Sequence, residues 1–213
     1  AETQQCNTYR KSAGMMQVSD ITGVILAGGK GRRMQGKDKG LIELNGKLLI
    51  QHVISAIAPQ VGQLVINANR NLQDYADLGY PVVRDSMADY QGPLAGFLAT
   101  MDSVDTQELV TVPCDGPSLP RDLVQRLVAE REQAAADIAV AHDGRRLQPV
   151  YALLPTRLKH DLKAFLDSGG RKIDLWYAQH NVVQVDFSDS AEAFVNINTP
   201  QDREELQRRE EVS

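Results

Sequence analysis

Positive charge is in short supply: 23 Lys and Arg stand against 28 Asp and Glu in 213 residues, a formal net charge of −5. With no global basic field to attract a polyanion, nucleic acid is excluded as a partner class. Cys6 and Cys114 are the only cysteines, too few for a disulfide framework and not spaced as C-x-x-C, which suits a reducing compartment. Cys114 reads as a small apolar packing group. The four histidines, His52, His142, His160 and His180, lack ligand spacing, so neither a zinc site nor histidine catalysis is expected. A G-x-S-x-G elbow is missing, which argues against a hydrolase triad. No apolar run approaches the roughly 20 residues of a membrane span, and the N-terminus has no secretory h-region or cleavage site, so a cytoplasmic protein without membrane contact is expected. Aromatics make up 5%, and Trp176 and Tyr177 read as core or rim residues.

What the chain does have is a glycine loop rich in cations. Ile21 to Ala27 is an apolar, β-branched run, and it leads directly into Gly28-Gly-Lys-Gly-Arg-Arg-Met-Gln-Gly-Lys-Asp-Lys39. Glycines let backbone N–H groups turn toward an anion, while Arg32, Arg33, Lys37 and Lys39 supply charge-assisted hydrogen bonds. Such a loop suits a phosphate chain. Gly31 to Lys37 reads G-x-x-x-x-G-K, but Asp38 stands where a P-loop needs a Ser or Thr hydroxyl, so an ATPase-type loop is disfavoured. Gly29-Lys-Gly31 begins a dinucleotide fingerprint, yet Met34 fills the third glycine position, which disfavours a Rossmann dehydrogenase.

The length allows one substantial α/β domain that buries roughly 70% of its unfolded surface. Residues 1–19 are polar and aperiodic and read as a flexible extension; 20–213 read as one domain. A short strand or turn at Asn45-Gly46 is expected, then an amphipathic helix through Leu48 to Ile57. Strands are expected at Gln63 to Asn67, Pro81 to Arg84 and Glu108 to Val112, with helices at Asn71 to Asp77, Leu94 to Ser103 and Arg121 to Gln133. This alternation implies a mostly parallel, Rossmann-like α/β sheet with helices on both faces. Beyond residue 136 the pattern predicts strands at Asp137 to Ala141 and Gln148 to Leu153 around an Asp143-Gly144 turn. Helices follow at Arg157 to Leu166, ending at Gly169-Gly170, and at Arg171 to Ala178. Val182 to Val185 and Phe194 to Asn198 read as strands, and Thr199 as the N-cap of a last charged helix.

In open α/β sheets, ligands bind beyond the carboxyl ends of the strands. The expected strands end at Gly28-Gly29, Asn67, Asp85 and Asp115, a set of small or polar residues that converges on one edge. Asp115, between Pro113 and Pro117, is a hard oxygen ligand suited to Mg2+ with nucleotide phosphates, although capping a turn is the commoner task of Asp before Gly. Arg33 and Lys39 are placed to neutralise a triphosphate. Asn196 and Asn198 lie two apart on an expected strand and share a face; hydrogen bonding within the turn before Thr199 is one use for them.

Leu26-Ala-Gly-Gly29, Arg33-Met34 and Asp38-Lys-Gly-Leu41 together resemble the signature of nucleotidyltransferases with a Rossmann-like fold. Asn67-Ala-Asn69, Asp85 followed by Gly92-Pro-Leu-Ala-Gly96, Pro113-Cys-Asp115, Gln148-Pro149 and Asn196-Ile-Asn-Thr-Pro200 narrow the resemblance to the molybdenum cofactor guanylyltransferases. The motifs run in the family's order from residue 21 to about 205; one departure is Gln35, where the family usually has glycine. The resemblance implies transfer of GMP from GTP to Mo-molybdopterin with Mg2+ as cofactor. It implies catalytic roles for Arg33, Lys39 and Asp115, with Asp115 also the metal ligand. Leu26, Ala27, Gly28, Gly29, Lys39, Asn67, Asp85 and Asp115 would hold GTP, Asp85 near the base or ribose. Gly92, Gly96, Arg171, Asn196 and Asn198 would hold the acceptor; the role in reaching the second substrate or the metal that the resemblance implies for the Asn pair stands level with hydrogen bonding in the turn before Thr199. The GTP part would span about 20–116 and the acceptor part about 117–205, and accessory proteins of cofactor biosynthesis are the implied protein partners. A cytidylyl- or sugar-phosphate nucleotidyltransferase of the same fold, or a nucleotide-binding carrier without turnover, is the alternative.

Overall fold

The computed structural model describes residues 8–11, 14–28, 38–86, 92–197, 199, 201–202, 204 and 208. Its first elements fall where the sequence shows no period: β1 (Thr8–Lys11) and β2 (Gly14–Gln17) pair antiparallel. Met16 is fully buried in the main apolar cluster. Part of the segment read as an extension is therefore a hairpin anchored to the core.

The expected phosphate strand follows as β3 (Ile21–Leu26). After it, β4 (Glu43–Leu44) and β5 (Lys47–Leu48) form a small hairpin whose turn residues Asn45 and Gly46 take φ values of 50° and 76°. Positive φ at both central positions is the tight-turn geometry that Asn-Gly favours. The chain continues through α1 (Leu49–Ile57), β6 (Gln63–Asn67), α2 (Leu72–Ala76), β7 (Val82–Val83), α3 (Pro93–Ser103), β8 (Glu108–Pro113) and α4 (Leu123–Gln133). The second half adds β9 (Ile138–His142), β10 (Leu147–Pro155), α5 (Lys159–Asp167), α6 (Ile173–Tyr177) and β11 (Val182–Asp186).

Seven strands form one sheet in the order β11-β9-β10-β8-β3-β6-β7. All neighbours run parallel except β10, which is antiparallel to both β8 and β9. Successive side chains on a strand point to opposite faces, and the strands sort accordingly. Ile21 and Ile25 of β3 pack with Ile50 and Val53 of α1 and Leu123 and Leu127 of α4, whereas Val24 packs with Leu94 and Phe97 of α3 and Leu162 of α5. The sheet is thus covered on both faces, as the strand-helix alternation implied. Helix α5 ends as expected: Gly169 takes φ 91°, its N–H bonds Leu166 O, and Gly170 N–H bonds Phe165 O, the paired bonds of a Schellman cap.

One sequence expectation changes near the C-terminus and one holds. The strand expected over Phe194 to Asn198 is instead a 3-10 segment, Ser188–Phe194, followed by extended chain, and Asn198 lies outside the described residues. Phe187 and Phe194, at the two ends of this kinked segment, stack edge to face at 5.4 Å and bury their rings, which folds the chain back where a strand was expected. The Thr199 cap is present: Asp202 N–H donates to Thr199 Oγ1 at 3.1 Å and Thr199 N–H to Asp202 Oδ2 at 2.8 Å, the reciprocal bonding of a capping box.

Candidate active site

From β3 the chain moves outward to β6 and β7, then returns to β8 on the other side of β3. That reversal opens a crevice beyond the carboxyl ends of β3 and β8, the place where open α/β sheets bind ligands. Across it, Lys39 Nζ donates to Asp115 Oδ2 at 2.9 Å, joining residues 76 apart in sequence. The lysine side chain is 25% exposed and the carboxylate 10%. Two of the residues expected to carry the chemistry therefore meet at the switch point.

Asp115 is held from below. Cys114 N–H bonds Leu26 O, tying the ends of β8 and β3, and Ile197 N–H bonds Asp115 O at 2.9 Å. The second bond brings the Asn196 segment beside Asp115. Tyr151, fully buried on β10, sits under Gly116, and its hydroxyl lies 3.4 Å from Asn196 Oδ1. Burial, and after it the Asp115 charge, pushes the Tyr151 phenol far above its ordinary value, so it stays protonated and able to donate. Burial likewise raises the Cys114 thiol, and the residue packs in the core as a small apolar group.

A second cluster forms where β3, β6 and β7 end. Asn67 Nδ2 donates to Asp85 Oδ1 at 2.9 Å and Asn69 Nδ2 to Asp85 Oδ2 at 2.7 Å, while Asp85 N–H donates back to Asn69 Oδ1. Gly28 and Gly96 close around these amides. A Cβ on Gly96 would lie 2.4 Å from Asn67 Oδ1 and 2.9 Å from Leu26 Cδ2, so α3 approaches the β3 and β6 ends only because residue 96 has no side chain. Ala27 continues β3 by donating its N–H to Asn67 O at 2.8 Å.

Gly92 caps α3, and its Cα side faces the Arg171 carbonyl, 3.8 Å from where a Cβ would stand. The Arg171 backbone is thus near the expected acceptor residues. Its guanidinium Nη1 donates to Leu166 O and Gly170 O, which extends the α5 cap. Gly29 and Arg33, with Arg32 and Lys37, lie outside the described residues, as does Asn198.

Sequence reasoning gave no role to Asp38, Asn69, Asn71 or Tyr75. Asp38 is buried and accepts the Tyr75 hydroxyl at 2.5 Å and Asn71 Nδ2 at 3.1 Å, with Arg70 Nε at 3.4 Å. Asn69 was legible only as part of Asn67-Ala-Asn69. Among the described residues no group of three or more His, Cys, Asp or Glu forms a metal cage. What the described residues of the crevice offer a cation is one anionic oxygen ligand, Asp115, already facing the Lys39 ammonium. That donor set fits Mg2+, which is commonly held by one or two carboxylates with substrate phosphates and water completing the octahedron.

A cavity of about 800 Å³ opens at the other edge of the sheet, among Glu108, Arg131, Asp137 and Arg157. Four of its charges pair with one another: Arg131 with Glu108 at 2.6 Å and Arg157 with Asp137 at 2.5 Å. It contains none of the expected site residues. No helix among the described residues is long and apolar enough to cross a membrane.

The profile of the MobA-like NTP transferase domain matches residues 23–182. A molybdenum cofactor guanylyltransferase of Shewanella sediminis is 52% identical over 186 residues, covering 87% of this chain and 95% of that protein. The protein of the same name from Shewanella loihica is 53% identical over the same shares. Among solved structures, molybdopterin-guanine dinucleotide biosynthesis protein A of Archaeoglobus fulgidus superposes with a TM-score of 0.74 at 25% identity, over 91% of this chain and 100% of that one. A 2-C-methyl-D-erythritol 4-phosphate cytidylyltransferase of Thermus thermophilus shares the fold at 14% identity and a TM-score of 0.65, over 88% of this chain and 98% of that one. With the described part of its motifs gathered on the carboxyl edge of the sheet and its sequence matched over residues 23–182, the chain belongs to the MobA-like NTP transferases.

Proposed function

We propose that the protein is a molybdenum cofactor guanylyltransferase, transferring GMP from GTP to the terminal phosphate of Mo-molybdopterin and releasing pyrophosphate. The observation that carries this reading is the Lys39–Asp115 pair at the switch point in a chain about half identical to guanylyltransferases along most of its length. The cytidylyl alternative has only the shared fold in its favour.

The reaction asks little covalent chemistry of the protein. An oxygen of the acceptor phosphate forms a bond to the α-phosphorus of GTP, the bond from that phosphorus to the bridging oxygen breaks, and pyrophosphate leaves with the electron pair. The attacking phosphate is already ionised, so no general base is needed; positioning and charge neutralisation are the work of the site. Lys39 and Arg33 neutralise the triphosphate and the charge that grows on the leaving pyrophosphate. Mg2+ bound at Asp115 would add Lewis-acid neutralisation of the phosphate oxygens. Asn67, Asn69 and Asp85 form a pre-bonded unit, suited to presenting a fixed polar edge to the nucleoside beside Gly28. Asn196, next to Asp115, and Gly92 with Arg171 face the acceptor side.

Calorimetric titration of GTP, CTP, ATP and UTP in Mg2+, repeated with Asp115→Ala, tests the assignment. GTP preference that weakens in the variant is expected, followed by pyrophosphate release once Mo-molybdopterin is added. Preference for CTP would transfer the protein to the cytidylyl branch, and GTP binding without pyrophosphate release would make it a carrier.

A further inference from the structure

Lys39 reaches Asp115 from a short 3-10 turn, Lys39–Leu41, that starts at Asp38. A lysine side chain has four rotatable carbons and about 2 kcal/mol of rotamer entropy to lose, so an ammonium that must meet a transferring phosphate needs its backbone fixed. The fixing group is the preceding residue. The Asp38 side chain is 3% exposed, and a carboxylate so deeply buried is tolerated only when hydrogen-bonded and paired. Its partners come from one neighbouring stretch: the Tyr75 hydroxyl bonds Oδ1, and Asn71 Nδ2 and Arg70 Nε approach Oδ2. The same tyrosine limits the next residue but one, because a Cβ on Gly40 would stand 2.7 Å from Tyr75 Oη and 3.3 Å from Cys114 Cβ. Lys39 is therefore held on both sides, by an anchored carboxylate before it and by a glycine wedged between Tyr75 and the end of β8 after it.

We propose that Asp38 and Tyr75 are positioning residues, a buried latch between α2 and the end of the glycine loop that sets the height and direction of the Lys39 ammonium over Asp115. Neither touches substrate; both act through Lys39. Burial, and after it Cys114 and Asp38, pushes the Tyr75 phenol far above its ordinary value, which keeps it a hydrogen-bond donor throughout the working pH range. The latch reaches Lys39 from the β6–α2 segment that begins with the nucleoside cluster at Asn67 and Asn69, so the two halves of the donor site share one support. Its consequence for turnover rests on the guanylyltransferase reading; its consequence for Lys39 does not.

The test separates the two. Asp38→Asn and Tyr75→Phe are compared with the native protein for melting temperature, for Lys39 acylation by acetic anhydride read by peptide mass spectrometry, and for kcat and KM with GTP. In the native protein Lys39 is expected to react more slowly than Lys47, whose residue is exposed. Asp38→Asn should raise Lys39 reactivity about tenfold and lower kcat about 10–100-fold, with KM for GTP changed less than about fivefold, because misplacement costs the transition state more than the ground state. Tyr75→Phe, which removes a single hydrogen bond and keeps the ring, should give the same pattern at about a third of the effect and should fold even if Asp38→Asn does not. Increased Lys39 reactivity with no GTP turnover in any form would support the latch and refute the substrate assignment. Unchanged Lys39 reactivity in folded Tyr75→Phe, or equal losses in kcat and melting temperature with Lys39 still protected, would overturn the latch.

Discussion

Strand β8 carries an ion pair at each end, and the two differ in kind. At its amino end Glu108 meets Arg131 of α4 at 2.6 Å, with side chains 6% and 8% exposed. Just past its carboxyl end Asp115 meets Lys39 at 2.9 Å, with the lysine 25% exposed and presented by a turn instead of a helix. The first pair is sealed between sheet and helix, with a planar guanidinium whose shape suits a carboxylate. The second pair uses a compact ammonium on a long stem, a quarter exposed to the crevice. Burial and partner type distinguish a lock from a contact that can be exchanged for a ligand, although both appear as one short bond.

The comparison breaks first at the lock. Arg131→Met leaves the Glu108 carboxylate buried without its cation and is expected to cost about 3–5 kcal/mol in urea unfolding, with turnover per folded molecule within about twofold of native. A loss below about 1 kcal/mol would show that the amino-end pair is no lock. Lys39→Met should do the reverse: unfolding free energy within about 1 kcal/mol of native and turnover down by about 10²–10³, or roughly 3–4 kcal/mol of transition-state stabilisation. In that variant calorimetry with Mn2+ alone should show tighter metal binding, since Asp115 no longer faces an ammonium; weaker binding would mean that the pair is not exchangeable.

Gly96→Ala sharpens the comparison within the carboxyl edge. Its new methyl group forces Asn67 away from Asp85 or α3 away from the sheet, and nucleotide affinity should fall about tenfold, near 1.4 kcal/mol. The smallest effect belongs to the amino edge again. The Arg157 hydrogen bond holds the Asp137 carboxyl below its ordinary 3.8. A lowered folded-state value contributes stability that is present above about 3.8 and is lost as pH falls below it. Arg157→Ala should therefore lower stability by less than about 1 kcal/mol above about pH 4, as a half-exposed pair implies, with the difference from native closing as pH falls further and the acid limb correspondingly flatter.

Much of this was legible in the chain. The strand-helix alternation and the ends at Gly28, Asn67, Asp85 and Asp115 gave the layered sheet and its binding edge, because period and strand-end chemistry are local properties. The reversed direction of β10 was not legible, since an apolar run such as Val150–Leu154 has no polarity that records which way it lies. The hairpin containing Met16 was missed for want of period in so short a pair. Tyr75 was invisible as a partner of Asp38 because a tyrosine on an amphipathic helix reads as core, and the bond spans 37 residues. The resemblance placed Arg171 among the acceptor residues; what the sequence did not record is that its guanidinium also bonds the carbonyls of the α5 cap formed at Gly169-Gly170.

The β9–β10 hairpin also sets an order of assembly. Its strands adjoin in sequence, so this pairing closes a short loop and can form within microseconds of collapse. The donor side must bring Gly28, Asn67, Asp85 and Gly96 together through crossovers, and Lys39 must find Asp115 across 76 residues. Contacts of such separation form late. During refolding of the full chain the β9–β10 pairing is therefore expected to precede closure of the switch point, and GTP added during refolding should bind only once β3, β6 and β8 are joined, so it can speed no step before that one.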